Sequence, residues 1–147
     1  MKRMRVLLAA AMAACAMTSP AAAAAEFRSI ADNGAVLYDA PSTKARKLYV
    51  ASRHFPVEVM VSVEGWTNVR DRSGDLAWVE KKTLSETRFV IVTAPVADVR
   101  QSPDAAAPLV FQAQSQVVLE FVEPVNADWV RVRHRDGQSG FVKTSQV

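Results

Sequence analysis

Residues 65–79 read GWTNVRDRSGDLAWV, and residues 128–142 read DWVRVRHRDGQSGFV. Both stretches contain a tryptophan, a Val-Arg step, a turn with glycine and a closing aromatic-valine pair, each displaced by 63 positions. Upstream, Phe27 and Phe89 are 62 positions apart, which indicates one inserted residue near Asn126. Such an insertion is expected in a surface loop, where an extra residue costs little. A repeat of about sixty residues is longer than solenoid units of roughly 20–50 residues. Each copy is therefore predicted to be a small domain.

Alternating apolar and polar residues run through both copies. In residues 57–63, VEVMVSV, the valines share one face, and residues 119–121, LEF, repeat the pattern. Further strands of the first copy are predicted at residues 27–31, 35–38, 48–51, 67–70 and 76–80. Because no amphipathic helix is predicted, the fold class is all-β, with each copy forming a small barrel or sandwich. The first copy is assigned to residues 26–84 and the second to residues 88–147, with a short linker between them.

The N-terminus has the pattern of an export signal. Lys2, Arg3 and Arg5 precede an apolar stretch at residues 6–17, and small residues at 21–25 provide cleavage sites. We therefore expect residues 1–25 to be a signal peptide, with no transmembrane segment left after cleavage, and the protein to be periplasmic or secreted. The alternative is a lipoprotein anchored through Cys15, because Met12 to Cys15 resembles a lipidation motif.

Without this leader the charge of the chain is balanced. The sequence has 18 Lys and Arg against 15 Asp and Glu, and the leader contains three of the basic residues, so 15 of each sign remain. A balanced chain lacks the excess of positive charge that attracts nucleic acid, so no nucleic-acid partner is expected. The only cysteine, Cys15, lies in the leader, so the remaining chain cannot form a disulfide.

These motifs resemble those of bacterial SH3-like domains. Both copies have a tryptophan strand leading through a glycine hairpin to an aromatic-valine pair, and residues 99–103, VRQSP, are similar to the opening segment of that family. The first copy differs in having Ala77 where the second has Gly140. The resemblance implies two tandem small SH3-like β-barrels with a binding role in the cell envelope. It also implies cell-wall peptide or glycan as ligand, meaning peptidoglycan or its stem peptides.

Candidate catalytic residues are few. Outside the leader there is no cysteine, and the only histidines, His54 and His134, lie in predicted turns of different copies. Nucleophilic catalysis needs a base beside the nucleophile, and a zinc site needs three or four closely spaced ligands. We therefore predict no enzymatic activity, no metal and no cofactor.

Strand alternation suggests where a ligand would bind. If Thr67 and Val69 face the core, Trp66 and Arg70 face outward, as Trp129, Arg131 and Arg133 do in the second copy. Tryptophan stacks on sugar rings and arginine binds carboxylates, which stem peptides carry. The predicted ligand-binding residues are therefore Trp66, Arg70, Trp129, Arg131 and Arg133. Alternatively, each tryptophan covers the barrel edge or is buried between the copies.

A second function remains open at the level of sequence. The barrels could act as an adaptor that binds a peptide segment of a periplasmic protein, by adding a strand to an exposed sheet edge.

Overall fold

The computed structural model describes residues 22–147, and these form two antiparallel sheets. The predicted leader up to residue 21, with Cys15, lies outside the described residues, so the signal peptide and the lipid anchor remain predictions. Within the described residues, no helix is long and apolar enough to cross a membrane. The predicted all-β fold of two tandem SH3-like domains is confirmed.

The first barrel is built from seven strands. They are β1 (Glu26–Ile30), β2 (Ala35–Tyr38), β3 (Lys47–Ala51), β4 (Pro56–Val63), β5 (Trp66–Arg70), β6 (Leu76–Glu80) and β7 (Leu84–Ser85), in the sheet order β3-β2-β6-β5-β4-β1-β7. A short 3-10 helix, Lys81–Thr83, connects β6 to β7. Residues 81–88, predicted from the sequence to be a linker, thus contain a helical turn and a strand, because two residues are enough to pair with β1 but too few to show a period in the sequence.

The second barrel repeats the first without a counterpart of β7. Its strands are β8 (Phe89–Ile91), β9 (Val96–Arg100), β10 (Leu109–Gln114), β11 (Val118–Pro124), β12 (Trp129–Arg133) and β13 (Ser139–Lys143), in the sheet order β10-β9-β13-β12-β11-β8. A closing 3-10 helix spans Thr144–Gln146. The carbonyl of Gln146 accepts a hydrogen bond from Thr93 at 2.9 Å, as that of Thr83 does from Ala31 at 2.8 Å.

The two cores occupy the same positions of the repeat. Buried Val57, Val69 and Val79 in the first barrel correspond to Leu119, Val132 and Val142 in the second. These residues all occur on the inward face of their strands, as alternation predicted. In β4 the alternation holds only up to a register shift between Val59 and Val61, beyond which Val61 and Val63 are exposed. Burial of apolar surface on one face of each sheet therefore stabilises each barrel separately.

The inserted residue lies in a hairpin turn, as predicted. The turn between β4 and β5 consists of residues 64–65, whereas residues 125–128 connect β11 to β12. In the shorter turn Gly65 adopts a φ of 75°, which glycine tolerates without steric cost. In the longer turn the side chain of Asn126 instead accepts hydrogen bonds from the backbone of Asp128 and Trp129. Because both turns are exposed, the insertion leaves the cores unchanged.

Candidate functional site

Two clefts lie where the barrels meet, and they occupy equivalent places in the repeat. The first cleft, of about 520 Å³, is lined by Phe27, Glu58, Arg70, Asp71, Arg72, Arg88, Val90, Ile91 and Val147, among others. The second cleft, of about 580 Å³, is lined by Arg53, His54, Phe89, Val117, Val118, Glu120, Arg133, His134 and Arg135. In each cleft one copy supplies a phenylalanine, a glutamate and an arginine at matching positions, and the other copy supplies part of the facing wall.

Each cleft contains a glutamate-arginine pair between neighbouring strands. Glu58 of β4 lies opposite Arg70 of β5, and the guanidinium donates two hydrogen bonds to one carboxylate oxygen, at 3.0 and 2.6 Å. Glu120 and Arg133 form the equivalent pair, with both carboxylate oxygens accepting, at 3.1 and 2.9 Å. Such solvent-exposed pairs stabilise a fold by only about 0–1 kcal/mol. The pairs therefore fix the direction of the two arginines at the clefts more than they stabilise the barrels.

Arg88 lines the first cleft, although it is not among the residues predicted from the sequence to bind ligand. It directly precedes β8, and its guanidinium carbon lies 4.4 Å from the ring centroid of Phe27 and 4.1 Å from that of Phe121. These two rings belong to different copies, so the cation bridges the barrels. Burial lowers the pKa of Arg88 from its ordinary value. In the sequence Arg88 is recognisable only as an arginine between two domains, and arginines are also common in flexible linkers.

His54 and Phe89 form a second contact between the copies. Their rings stack with centroids 4.2 Å apart and planes inclined by 10°. His54 has a φ of 69°, and the equivalent residue of the second copy, Gln116, has a φ of 75°. Burial lowers the pKa of His54, the positive charge of Arg53 lowers it further, and Glu120 acts in the opposite direction. The predicted position of His54 in a turn before the main strand agrees with the structure.

Acidification is expected to weaken the fold through His54. Its folded-state pKa lies below the ordinary value of 6.5, so its contribution to stability is complete above pH 6.5 and is lost as the pH falls from 6.5 through the lower folded-state pKa. The matched variant is His54→Gln, which reproduces the residue of the second copy at the same backbone conformation. We expect the urea midpoint to fall more between pH 7.5 and 5 in the parent protein than in the variant. Equal pH dependence of the two midpoints would contradict this assignment.

Asp71 lies in the wall of the first cleft, but its carboxylate is already engaged. Burial raises its pKa, and this is outweighed by hydrogen bonds from the side chains of Ser73 and Tyr49 and from the backbone of Asp75 and Ser73, so that the pKa is lowered. The Tyr49 hydroxyl donates at 3.1 Å, and burial together with Asp71 raises the pKa of that hydroxyl. Asp71 therefore orders the turn between β5 and β6.

Each predicted tryptophan begins its strand, whereas Arg70 and Arg133 end theirs and Arg131 lies in the middle of β12. Trp129 begins β12 and Arg133 ends it, and the two residues line different depressions of the surface. Trp129 belongs to a groove of about 560 Å³ with Pro103, Asp104, Asp128 and Lys143. The structure thus does not bring Trp129 and Arg133 together on one platform.

The prediction that Trp129 is exposed is wrong, because the residue is only 8% exposed. Its side chain points away from the barrel core, as alternation requires. The first residue of a strand can be covered by neighbouring loops even when its side chain points outward, and the residues that share its groove include Pro103, Asp104 and Ala105. Trp66, the equivalent residue, is half-buried, and its ring meets that of Tyr38 edge to face at 5.5 Å. The alternative in which the tryptophan covers the barrel edge therefore describes Trp129 better.

Arg131 and His134 each lie beside a carboxylate of the same barrel. Arg131 donates to Glu123 at 3.3 Å on the outer face of the second sheet. His134 lies 3.0 Å from Asp136 in the turn between β12 and β13. Across residues 22–147, no three His, Cys, Asp or Glu side chains are grouped so that they could hold a metal ion.

Two small SH3-like barrels joined by a short segment, with clefts at their junction, define a tandem β-barrel binding module. The sequence profile of the bacterial SH3 domain matches residues 31–86 and again residues 94–147. The chain therefore belongs to the bacterial SH3 domain family, whose domains are typically binding modules associated with the cell wall.

Two solved structures are similar to the chain. NlpC1 from Trichomonas vaginalis is 15% identical over 87% of this chain and 47% of that chain, with a TM-score of 0.40. NlpC2 from the same organism is 12% identical over 83% of this chain and 47% of that chain, with a TM-score of 0.36. The chain spans about half the length of these proteins. No curated protein matches the sequence.

Proposed function

We propose that the protein is a non-enzymatic binding module of the cell envelope that holds peptidoglycan or its stem peptides. The observation that carries the proposal is the repetition of the family's domain with a cleft at the same place in each copy. Two equivalent clefts suit a ligand that is itself a repeating polymer, because simultaneous binding at both raises the apparent affinity without new contacts.

The proposed ligand contacts begin with the arginines of the clefts. Arg70 and Arg133 are held in place by their glutamates and keep one face toward solvent, with side chains 43% and 48% exposed. Trp66, Trp129 and Arg131 are separate further candidates. Trp129 lines its own groove with Pro103 and Lys143, which has room for a sugar ring, whereas Trp66 and Arg131 lie outside that groove.

Co-sedimentation with purified peptidoglycan sacculi tests the proposal. We expect residues 26–147 to pellet with sacculi, and the double variant Arg70→Gln with Arg133→Gln to bind about tenfold more weakly, because each change removes charged hydrogen bonds and leaves a glutamate unpaired near the ligand. Arg46→Gln is the matched control, since Arg46 is an exposed arginine paired with Asp39 and lies outside both clefts. Absence of the protein from the pellet would contradict the proposal.

One observation favours the adaptor as a second candidate. Strand β3 forms an edge of the first sheet, and Leu48 and Val50 on it are exposed, Val50 by 63%. An exposed edge with apolar side chains can accept a strand from a partner protein. Capture of a periplasmic protein by the parent chain, abolished by Val50→Lys and unchanged by the cleft variant, would favour the adaptor over the peptidoglycan module.

A further inference from the structure

We infer that the first cleft binds a cell-wall stem peptide by its terminal carboxylate, and that Arg88 receives this carboxylate. The inference rests on the proposed function and adds the site and the chemical group that is recognised. Arg88 was not among the residues predicted from the sequence to bind ligand.

The guanidinium of Arg88 is positioned before any ligand arrives. Its central carbon lies over the rings of Phe27 and Phe121, 4.4 and 4.1 Å from their centroids. Contacts of a cation with two aromatic rings restrict its position without using its N–H donors, which leaves an edge of the planar guanidinium free for an acceptor. A carboxylate is the planar acceptor that fits such an edge, because its two oxygens match two parallel N–H donors.

The charge of Arg88 has no partner in the described part of the protein. Its Nε is buried without a hydrogen-bond acceptor, and no carboxylate of residues 22–147 forms an ion pair with the guanidinium. Burial lowers its pKa, with no acidic neighbour opposing the effect. A partly buried cation without a carboxylate partner is costly. Because Nε is shielded from solvent, an anion in the cleft would relieve that cost through the terminal nitrogens of the guanidinium.

The other lining residues of the first cleft are complementary to a short peptide with a negatively charged C-terminus. Of its two side-chain carboxylates, Glu58 is paired with Arg70, and Asp71 accepts hydrogen bonds from Ser73 and Tyr49. Arg72 adds a further exposed cation at the same cleft. Val90, Ile91 and Val147 supply an apolar wall for methyl side chains, and a volume of about 520 Å³ lies within the range of ligand pockets.

The test compares two forms of one probe. We would titrate residues 26–147 with diacetyl-Lys-D-Ala-D-Ala and with its C-terminal amide, and measure both affinities by calorimetry. The acid is expected to bind about tenfold or more tightly than the amide, because only the acid forms charged hydrogen bonds with Arg88. Arg88→Met should reduce the affinity for the acid to that for the amide, since methionine keeps an apolar stem between the rings but carries no donor. Arg46→Met is the control and should bind like the parent.

Equal affinity of the parent protein for acid and amide would overturn the inference, as would undetectable binding of both. This comparison needs no variant, so it remains decisive if Arg88→Met fails to fold. Sacculi then test the source of the carboxylate. Loss of co-sedimentation in Arg88→Met supports the stem peptide as occupant. Undiminished co-sedimentation of Arg88→Met overturns the stem peptide as occupant and leaves the proposed function standing. A parent protein that does not co-sediment with sacculi contradicts the proposed function itself.

Discussion

Replacing Trp129 by alanine is expected to lower the free energy of unfolding by about 3–5 kcal/mol, the usual cost of truncating a buried tryptophan. The residue is only 8% exposed and begins β12, the strand that joins β11 to β13 in the middle of the second barrel. Removing the indole would open the groove between residues 103–105 and Lys143. Urea unfolding followed by circular dichroism measures the effect without relying on tryptophan fluorescence.

Trp66→Ala is the matched control for this prediction. Trp66 occupies the equivalent position of the first barrel but is only half-buried, so its truncation is expected to cost less. An unchanged midpoint in Trp129→Ala would show that the indole contributes little to the fold. Trp129 would then return to the candidates for a ligand platform, where strand alternation had placed it.

Gly140→Ala is expected to destabilise the second barrel by about 1–3 kcal/mol, as overpacking of a close contact does. A Cβ atom at this position would lie 2.6 Å from the carbonyl oxygen of Arg100 and 2.7 Å from Cγ1 of Val99. The oxygen belongs to the backbone of β9, so the clash is relieved only if the strand moves. The better strand propensity of alanine offsets about 0.5–1 kcal/mol of this cost, which leaves a net loss.

The first barrel provides the control for this substitution. Its equivalent residue is Ala77 on β6, which is buried beside β2, the counterpart of β9. The reverse change, Ala77→Gly, is expected to cost about 1–2 kcal/mol, because it lowers strand propensity and removes a buried methyl group. A neutral Gly140→Ala variant, as measured by its urea midpoint, would mean that β9 and β13 can separate as far as β2 and β6 do.

Alternation of side chains along the strands predicts several features of the tandem fold. Alternation predicted that Val69 and Val132 face the core, which is confirmed. The change of offset between the repeats predicted an inserted residue in a surface loop, which is also confirmed. Alternation also placed Arg70 and Arg133 on the outer side of their strands, and the structure shows both at the clefts. These properties depend on neighbours along one strand, which the sequence contains directly.

The sequence by itself therefore determined the repeat, the all-β class, the inward faces of the strands and the position of the extra residue. Only the tertiary structure decided which outward side chains are covered. Trp129 is buried in a groove that it shares with residues 103–105, more than twenty positions away in the chain. Arg88 lies over two rings from different copies, so its position depends on how the barrels meet. A two-fold period specifies the side of a strand on which a residue lies, but packing between distant segments determines what covers that side.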